Sequence, residues 1–425
     1  MKNTFMNYFS TILYFFVLGF SSVLFFSCAS PKTNSEETKE TGLILKTQDS
    51  VPSESRKSES QHDSFEQVDP EPEQDFELSL VDSVFIPSNG ILTLLSVHPS
   101  QDLFLLMEGI MGEKLLLFDR KGKILAQHQK PKDAPDGYGG VCSGAIFSEE
   151  SIFVQGMQGI YEFDLRLNFK RKYPKKFLGQ TVISGGDNIA PAKIQGNEGI
   201  LVFTGLAKND FPTNSPKHYE EFNSLEWLEF NKGELQPILP LLPSSYLAKA
   251  NASFDYYVTH FKVRGNRLTY AYHLEPSIYE VNLFSFDLKP SRKALPIEGF
   301  ILEKGYPFGS KNTPDERSPL AGSIQGVYQA GGLDMIVFKK GLTRDRFPVG
   351  IEDRYEFRKE VNRRNPEFWI LQTKNGEFTP EKQLGTKYKI VRSDSKGRIW
   401  AIPNSDYLDS EPEGLLIFEL KITQK

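Results

Sequence analysis

The chain has 425 residues, 39% apolar and 25% charged, which is globular composition with enough apolar content to bury a sizeable core. A formal net charge of −5 excludes a general nucleic-acid binder, which needs a strongly basic face. There are only two cysteines, Cys28 and Cys142, and the lipidation of Cys28 expected below leaves one thiol, too few for a cysteine-based metal site.

The first thirty residues read as an address. Lys2 supplies a positive start, and Thr11 to Phe26 is an apolar run. That run is shorter than the ~20 residues a membrane-spanning helix needs and normal for a signal-peptide core. Phe25-Phe26-Ser27-Cys28 then resembles a bacterial lipoprotein signal, with Ser27, Ala29 and Ser30 fitting and Phe25 standing where Leu is usual. Ser35-Glu36-Glu37 is similar to the acidic export cluster of Bacteroidetes lipoproteins. The expected organisation is a signal peptide over 1–27, a lipidated Cys28 with a disordered tether to 75, and one folded domain over 76–425. The alternatives are an uncleaved anchor from Phe5 onward and a signal cut elsewhere with Cys28 incidental. From Ala29 to about Glu73 the chain is Ser-, Glu-, Lys-, Thr- and Pro-rich, so burial cannot offset its ordering entropy. Such a coil spans about 35–40 Å on average. Lipidation at Cys28 leaves Cys142 as a single thiol, with no intrachain disulfide possible.

From Phe76 a weak repeat sets in. An apolar strand recurs as LFLLMEG from Leu103, SIFVQG from Ser151, GILVFTG from Gly199, RLTYAYH from Arg267, LDMIVFKKG from Leu333 and GRIWAIP from Gly397. Each is followed by a second strand: LLLFDRKG from Leu115, IYEFDL from Ile160, WLEFNKG from Trp227, LFSFDLKP from Leu283, FWILQTKNG from Phe368 and LLIFEL from Leu415. Hairpin turns such as Arg120-Lys121-Gly122-Lys123 lead into a third strand. A preceding strand is visible before Leu103, Ser151, Arg267 and Gly397. Four strands per unit, six times, predicts an all-β fold, a six-bladed β-propeller. A seven-bladed ring or a pair of β-sandwiches are the alternatives. The last unit lacks a fourth strand, and Phe76 to Ile86 is a strand without a unit, so their pairing closes the ring. Ile351 to Arg364 reads as a helix within an insertion.

Signal, tether and blades together resemble the uncharacterised six-bladed, TolB-like propeller lipoproteins of Bacteroidetes. The segment DAPDGYGG, Asp133 to Gly140, is loosely similar to their Gly-Pro-Asn-Gly loops. The resemblance implies fold and an outer-membrane or cell-envelope address, periplasmic or surface-facing, and no activity.

Three long connections, Lys208 to Leu225, Gly341 to Glu367 and Lys304 to Gly322, are expected on one face of the ring. Arg344, Arg346, Arg354 and Arg358 fall there and suit an anionic partner, although the acids among them, with Glu360 four before Arg364, also predict self-pairing. His98 and His260 lie on predicted first strands and are candidates to line the channel. No His spacing suits zinc. Trp227, Trp369 and Trp400, on predicted inner strands, read as packing residues. Two functions compete. One is a membrane-anchored binding module for a protein or glycan partner at the cell envelope, with no cofactor. The other is a metal-assisted propeller hydrolase or lactonase, with a divalent cation held in the channel by Asp187 and Asn188, and with Asn251 near a strand entrance.

Overall fold

In the computed structural model the described residues are 75–425, apart from 110–113, 132–133, 139–141, 157, 176–187, 205–210, 255–257, 286, 311–319 and 409–412. The expected signal peptide and tether, with Cys28 and His62, and also Asp187, lie outside the described residues.

The first strand, β1 (Phe76–Pro87), belongs to the last blade. Blade one is β2 (Leu92–Val97), β3 (Phe104–Glu108), β4 (Lys114–Phe118) and β5 (Ile124–His128). Blade two is β6 (Cys142–Phe147), β7 (Ser151–Gly156), β8 (Gly159–Asp164) and β9 (Phe169–Pro174). Blade three is β10 (Ile189–Ile194), β11 (Asn197–Val202), β12 (Asn223–Glu229) and β13 (Glu234–Pro240). Blade four is β14 (Thr259–Arg264), β15 (Arg267–Tyr272), β16 (Ser277–Asn282) and β17 (Ser291–Ala294). Blade five is β18 (Ser323–Ala330), β19 (Leu333–Lys339), β20 (Glu367–Gln372) and β21 (Lys382–Gln383). Blade six is β22 (Tyr388–Ser393), β23 (Ile399–Pro403) and β24 (Gly414–Gln424), with β1 outermost. Every pairing is antiparallel, and the six sheets make a six-bladed β-propeller.

Ring closure follows the expected route. β1 pairs with β24 from Phe76↔Gln424 to Pro87↔Gly414, with an irregularity between Leu80 and Asp82. Side chains alternate between the two faces of each blade, so the core is a set of layers between neighbours. Val84, Ile86, Ile417 and Trp400 of blade six pack with Phe104, Leu106 and Leu116 of blade one. Arginines reinforce the same seam. Arg398 reaches Asp102 at 2.8 Å and the Pro99 carbonyl at 3.0 Å, and Arg120 reaches Asp82 at 2.7 Å and Glu419 at 2.6 Å. Gly122 has φ +75°, and a Cβ there would stand 2.8 Å from the Phe85 carbonyl oxygen, so the predicted hairpin turn lets blade one meet β1 closely.

Two expectations are corrected. In blade four the third strand is Ser277–Asn282, and the run from Leu283 is the turn after it, with Phe284 64% exposed. Trp227, Trp369 and Trp400 sit on β12, β20 and β23, which are third, third and second strands. All three are buried and pack as expected.

Candidate functional site

The four strands of a blade alternate in direction. Each linker into a first strand therefore emerges at the same end of the ring as the second-to-third connection. On the opposite end the connections are tight, such as 195–196, 265–266 and 331–332. The elaborated end carries the second-to-third connections 203–222, 340–366 and 404–413 and the linkers 241–258 and 295–322. The sequence places the first of these slightly too late, because Leu225 is already in β12.

These segments are tied together. Helix α1 (Pro216–Glu220) lies in the blade-three insertion, and its Tyr219 hydroxyl accepts the Phe254 N–H at 2.7 Å. Tyr219 also packs on Phe308 at 5.6 Å, and the Gly309 N–H donates to the Asn214 carbonyl at 3.1 Å. Helix α2 (Tyr246–Lys249) is capped by Ser245, and its first N–H donates to Glu275 at 2.9 Å. Main-chain bridges join Ser253 to Tyr306 and Leu320 to Leu342.

The blade-five insertion forms the expected helix, α3 (Arg354–Arg364), with Asp353 accepting the N–H groups of Tyr355 and Glu356. Helix α3 packs against the 405–407 turn of blade six, with Arg363 Nε donating to the Asp406 carbonyl at 2.9 Å and Asn362 Nδ2 to Asp406 Oδ1 at 3.2 Å. The predicted Glu360–Arg364 pair is present at 2.8 Å. Arg344 and Arg346 form a short 3₁₀ turn, and Arg346 Nη2 donates to the Arg364 carbonyl at 3.3 Å. Arg354 and Arg358 share the helix with Glu356 and Glu360, so charge on this arm is mixed, as expected. Between turn and helix the arm projects Val349, 90% exposed, and Tyr355 is exposed as well.

The two candidate histidines occupy different places. His98 follows β2 at the tight-turn end and stacks edge-on to Phe147 at 5.1 Å. Its Nδ1 accepts the N–H groups of Ser100 at 3.2 Å and Gln101 at 3.1 Å, so the ring's proton sits on Nε2. His260 is on β14, with its ring 5.8 Å from that of His273. Burial, and then the neighbouring His273, push His260 down to about 3, and burial pushes His273 down to about 4. Asn188, just before β10, is fully buried and donates to the Ser143 carbonyl at 3.0 Å. Among the described residues no three His, Cys, Asp or Glu side chains converge as ligands for a metal ion. Cys142 is a free, buried thiol pushed up to about 12 by burial, which suits packing and not nucleophilic chemistry.

Sequence reasoning put forward His98 and His260 for the channel but missed its other basic residues, Lys262 and Arg392. β14 pairs without a bulge, so His260, Lys262 and Arg264 share one face, turned toward blades five and six. Lys262 Nζ crosses to the Ser393 carbonyl of blade six at 2.7 Å. Arg392 Nε donates to the Leu95 carbonyl of blade one at 2.7 Å. Three basic residues at alternate positions of a first strand, where apolar runs are the rule, were the available signal.

No family model matches the chain, and no curated protein matches its sequence. Solved structures do match, β-propellers among them. A Bacteroides fragilis protein described as exported is 10% identical, with 82% of this chain and 95% of that chain covered at a TM-score of 0.48. BamB from Moraxella catarrhalis is 9% identical, covering 81% and 100% at 0.37. The PQQ-bound aldose sugar dehydrogenase of Streptomyces coelicolor is 14% identical, covering 82% and 99% at 0.44. At these identities the likeness is one of fold, and it brings no activity with it.

Proposed function

We propose that this propeller is a binding module at the cell envelope, docking a protein or glycan partner through its elaborated end. The observation that carries this is the asymmetry of the ring. One end has connections of at most nine residues, while the other carries five longer segments packed on one another, with Val349 projecting at 90% exposure beside Arg344, Arg346, Arg354 and Arg358. Rigid rings with one elaborated face suit recognition, because the scaffold spends no ordering entropy when a partner arrives. A photo-crosslinking residue placed at position 349 is expected to give a discrete adduct in cells. The same residue at position 289, on the tight-turn end, is expected to give none. Adducts from 289 alone would place the docking face at the other end and sink the proposal.

The address belongs to the same reading, and the Thr11–Cys28 signal supports it. Lipidation at Cys28 would hold the ring to a membrane by acyl chains through the tether. Cys28→Ser is expected to move the protein from the membrane fraction to the soluble fraction on carbonate extraction. Retention of the variant in the membrane would mean an uncleaved anchor.

A further inference from the structure

Ten large apolar side chains are exposed among the described residues, and five of them lie on two strands. Leu80, Val81 and Phe85 are on β1, and Ile124 and Leu125 are on β5, each 48–54% exposed. These are the outermost strands of blades six and one, which pack against each other in the ring. The turn that leads into β5 ties the two strands together. Arg120 bonds to Asp82, next to Leu80 and Val81, at 2.7 Å, and a Cβ on Gly122 would stand 2.8 Å from the Phe85 carbonyl oxygen. The five side chains therefore share one stretch of the rim, and exposed apolar surface gathered in this way marks a contact.

The acids around this stretch are engaged, and the lysines are not. Glu77 pairs with Lys425, and Asp82 and Glu419 pair with Arg120. Asp119 accepts the N–H groups of Lys121 and Lys123. The side chains of Lys121, Lys123 and Lys421 are exposed, and none has an ion-pair partner among the described residues. The one acid held by neither a cation nor an N–H is Glu413, beyond the far end of β1 at Pro87. Half-exposed aliphatic residues flanked by free lysines make a surface suited to the headgroup layer of an anionic membrane. A partner strand is disfavoured, because the open edge of β1 is broken by the bulge between Leu80 and Asp82 and ends on Pro87. β1 is also the first strand reached along the chain from Cys28, so an anchor there makes this stretch of rim the nearest along the chain to lipid.

We infer that the rim formed by β1 and β5 is a lipid-contacting surface. Leu80, Val81, Phe85, Ile124 and Leu125 enter the headgroup layer, and Lys121, Lys123 and Lys421 meet its phosphates. The inference rests on the envelope address proposed above and not on the docking face, which the rim leaves free.

The test is flotation of the chain from Ala29 to Lys425, made without acyl chains, with vesicles of phosphatidylcholine alone and of equal parts phosphatidylcholine and phosphatidylglycerol. The expected result is flotation with the mixed vesicles that weakens as salt rises, because the lysine contacts are screened. Phe85→Ser with Leu125→Ser is expected to lower that affinity about tenfold or more, since both side chains lose apolar area. Lys121→Gln with Lys123→Gln is expected to lower it by about tenfold on the mixed vesicles only, and covers the case in which the serine variant does not fold. Phe284→Ser, an exposed apolar residue of blade four, is expected to float like the parent. No flotation of the parent, or flotation that neither double variant reduces, would overturn the inference. So would a chain that runs as a dimer on gel filtration, loses the dimer in the serine variant and does not float, since that gives the rim to a second copy. Carbonate strips surface-held proteins, so the Cys28→Ser fractionation reads the anchor alone and the two readings can fail separately.

Discussion

Removing Phe76–Pro87 is expected to abolish the monomeric fold, although it takes away only the outermost strand of one blade. That strand carries Val84 and Ile86, which are buried at the seam with blade one, and it covers the whole length of β24. Without it, blade six keeps three strands and β24 presents an open edge from Gly414 to Gln424, a template for pairing with another chain. The Arg120 contacts to Asp82 disappear as well, but such part-exposed pairs are each worth at most about 1 kcal/mol. The dominant loss is the apolar layer. A single substitution isolates it. Ile86→Asp places a charge at a fully buried site without a counter-ion and is expected to cost about 3–5 kcal/mol. Gel filtration and thermal melting decide the matter. A truncated chain that elutes as a monomer and melts within a few degrees of the intact one would mean that the ring does not depend on this closure.

The second large effect is sensitivity to mild acid. All five histidines in the described residues, His98, His128, His218, His260 and His273, are held below their ordinary value, in each case with burial as the largest cause. A base whose folded pKa is lowered binds fewer protons folded than unfolded. Its contribution to stability is therefore complete above the unfolded value near 6.5 and is lost as pH falls toward the folded value. For His260, at about 3, the losing window runs from about pH 6.5 downward. Across that stretch, down to about pH 5, His260 alone costs about 2 kcal/mol, and His273, pushed down to about 4, acts in the same direction. Denaturant midpoints measured at pH 7 and pH 5 are expected to differ markedly. In His260→Leu the difference shrinks by about the His260 share, because the variant has no proton to take up. An unchanged pH slope in that variant would mean that the ring is solvated in the folded protein.

Much of the architecture was readable because blade structure is local. Alternating apolar residues, turn glycines such as Gly122 and strand spacing are written within stretches of about fifty residues, and they repeat. The orphan strand at Phe76 and the unit short of a strand at the C-terminus together implied the closure that β1 and β24 make. Helix α3 and its Glu360–Arg364 pair were legible because i, i+4 spacing is a property of the segment alone. The third strand of blade four was not, because the aromatic run after Leu283 outweighed the alternation in Ser277–Asn282, and only packing showed that Phe284 faces solvent. The first strands of blades three and five also escaped.

What the amino-acid order determined by itself was the class of element, their number and the way the ring closes, since each rests on periodicity and turn chemistry within a few dozen residues. The tertiary structure alone decided which distant segments meet. The position of the projecting arm of blade five is set by the contact of α3 with a turn of the next blade, 44 residues further on between Asn362 and Asp406. Across the channel, Lys262 reaches Ser393 and Arg392 reaches Leu95, over 131 and 297 residues. No local pattern encodes such meetings, because the ring geometry, and not chain proximity, brings those donors to one axis.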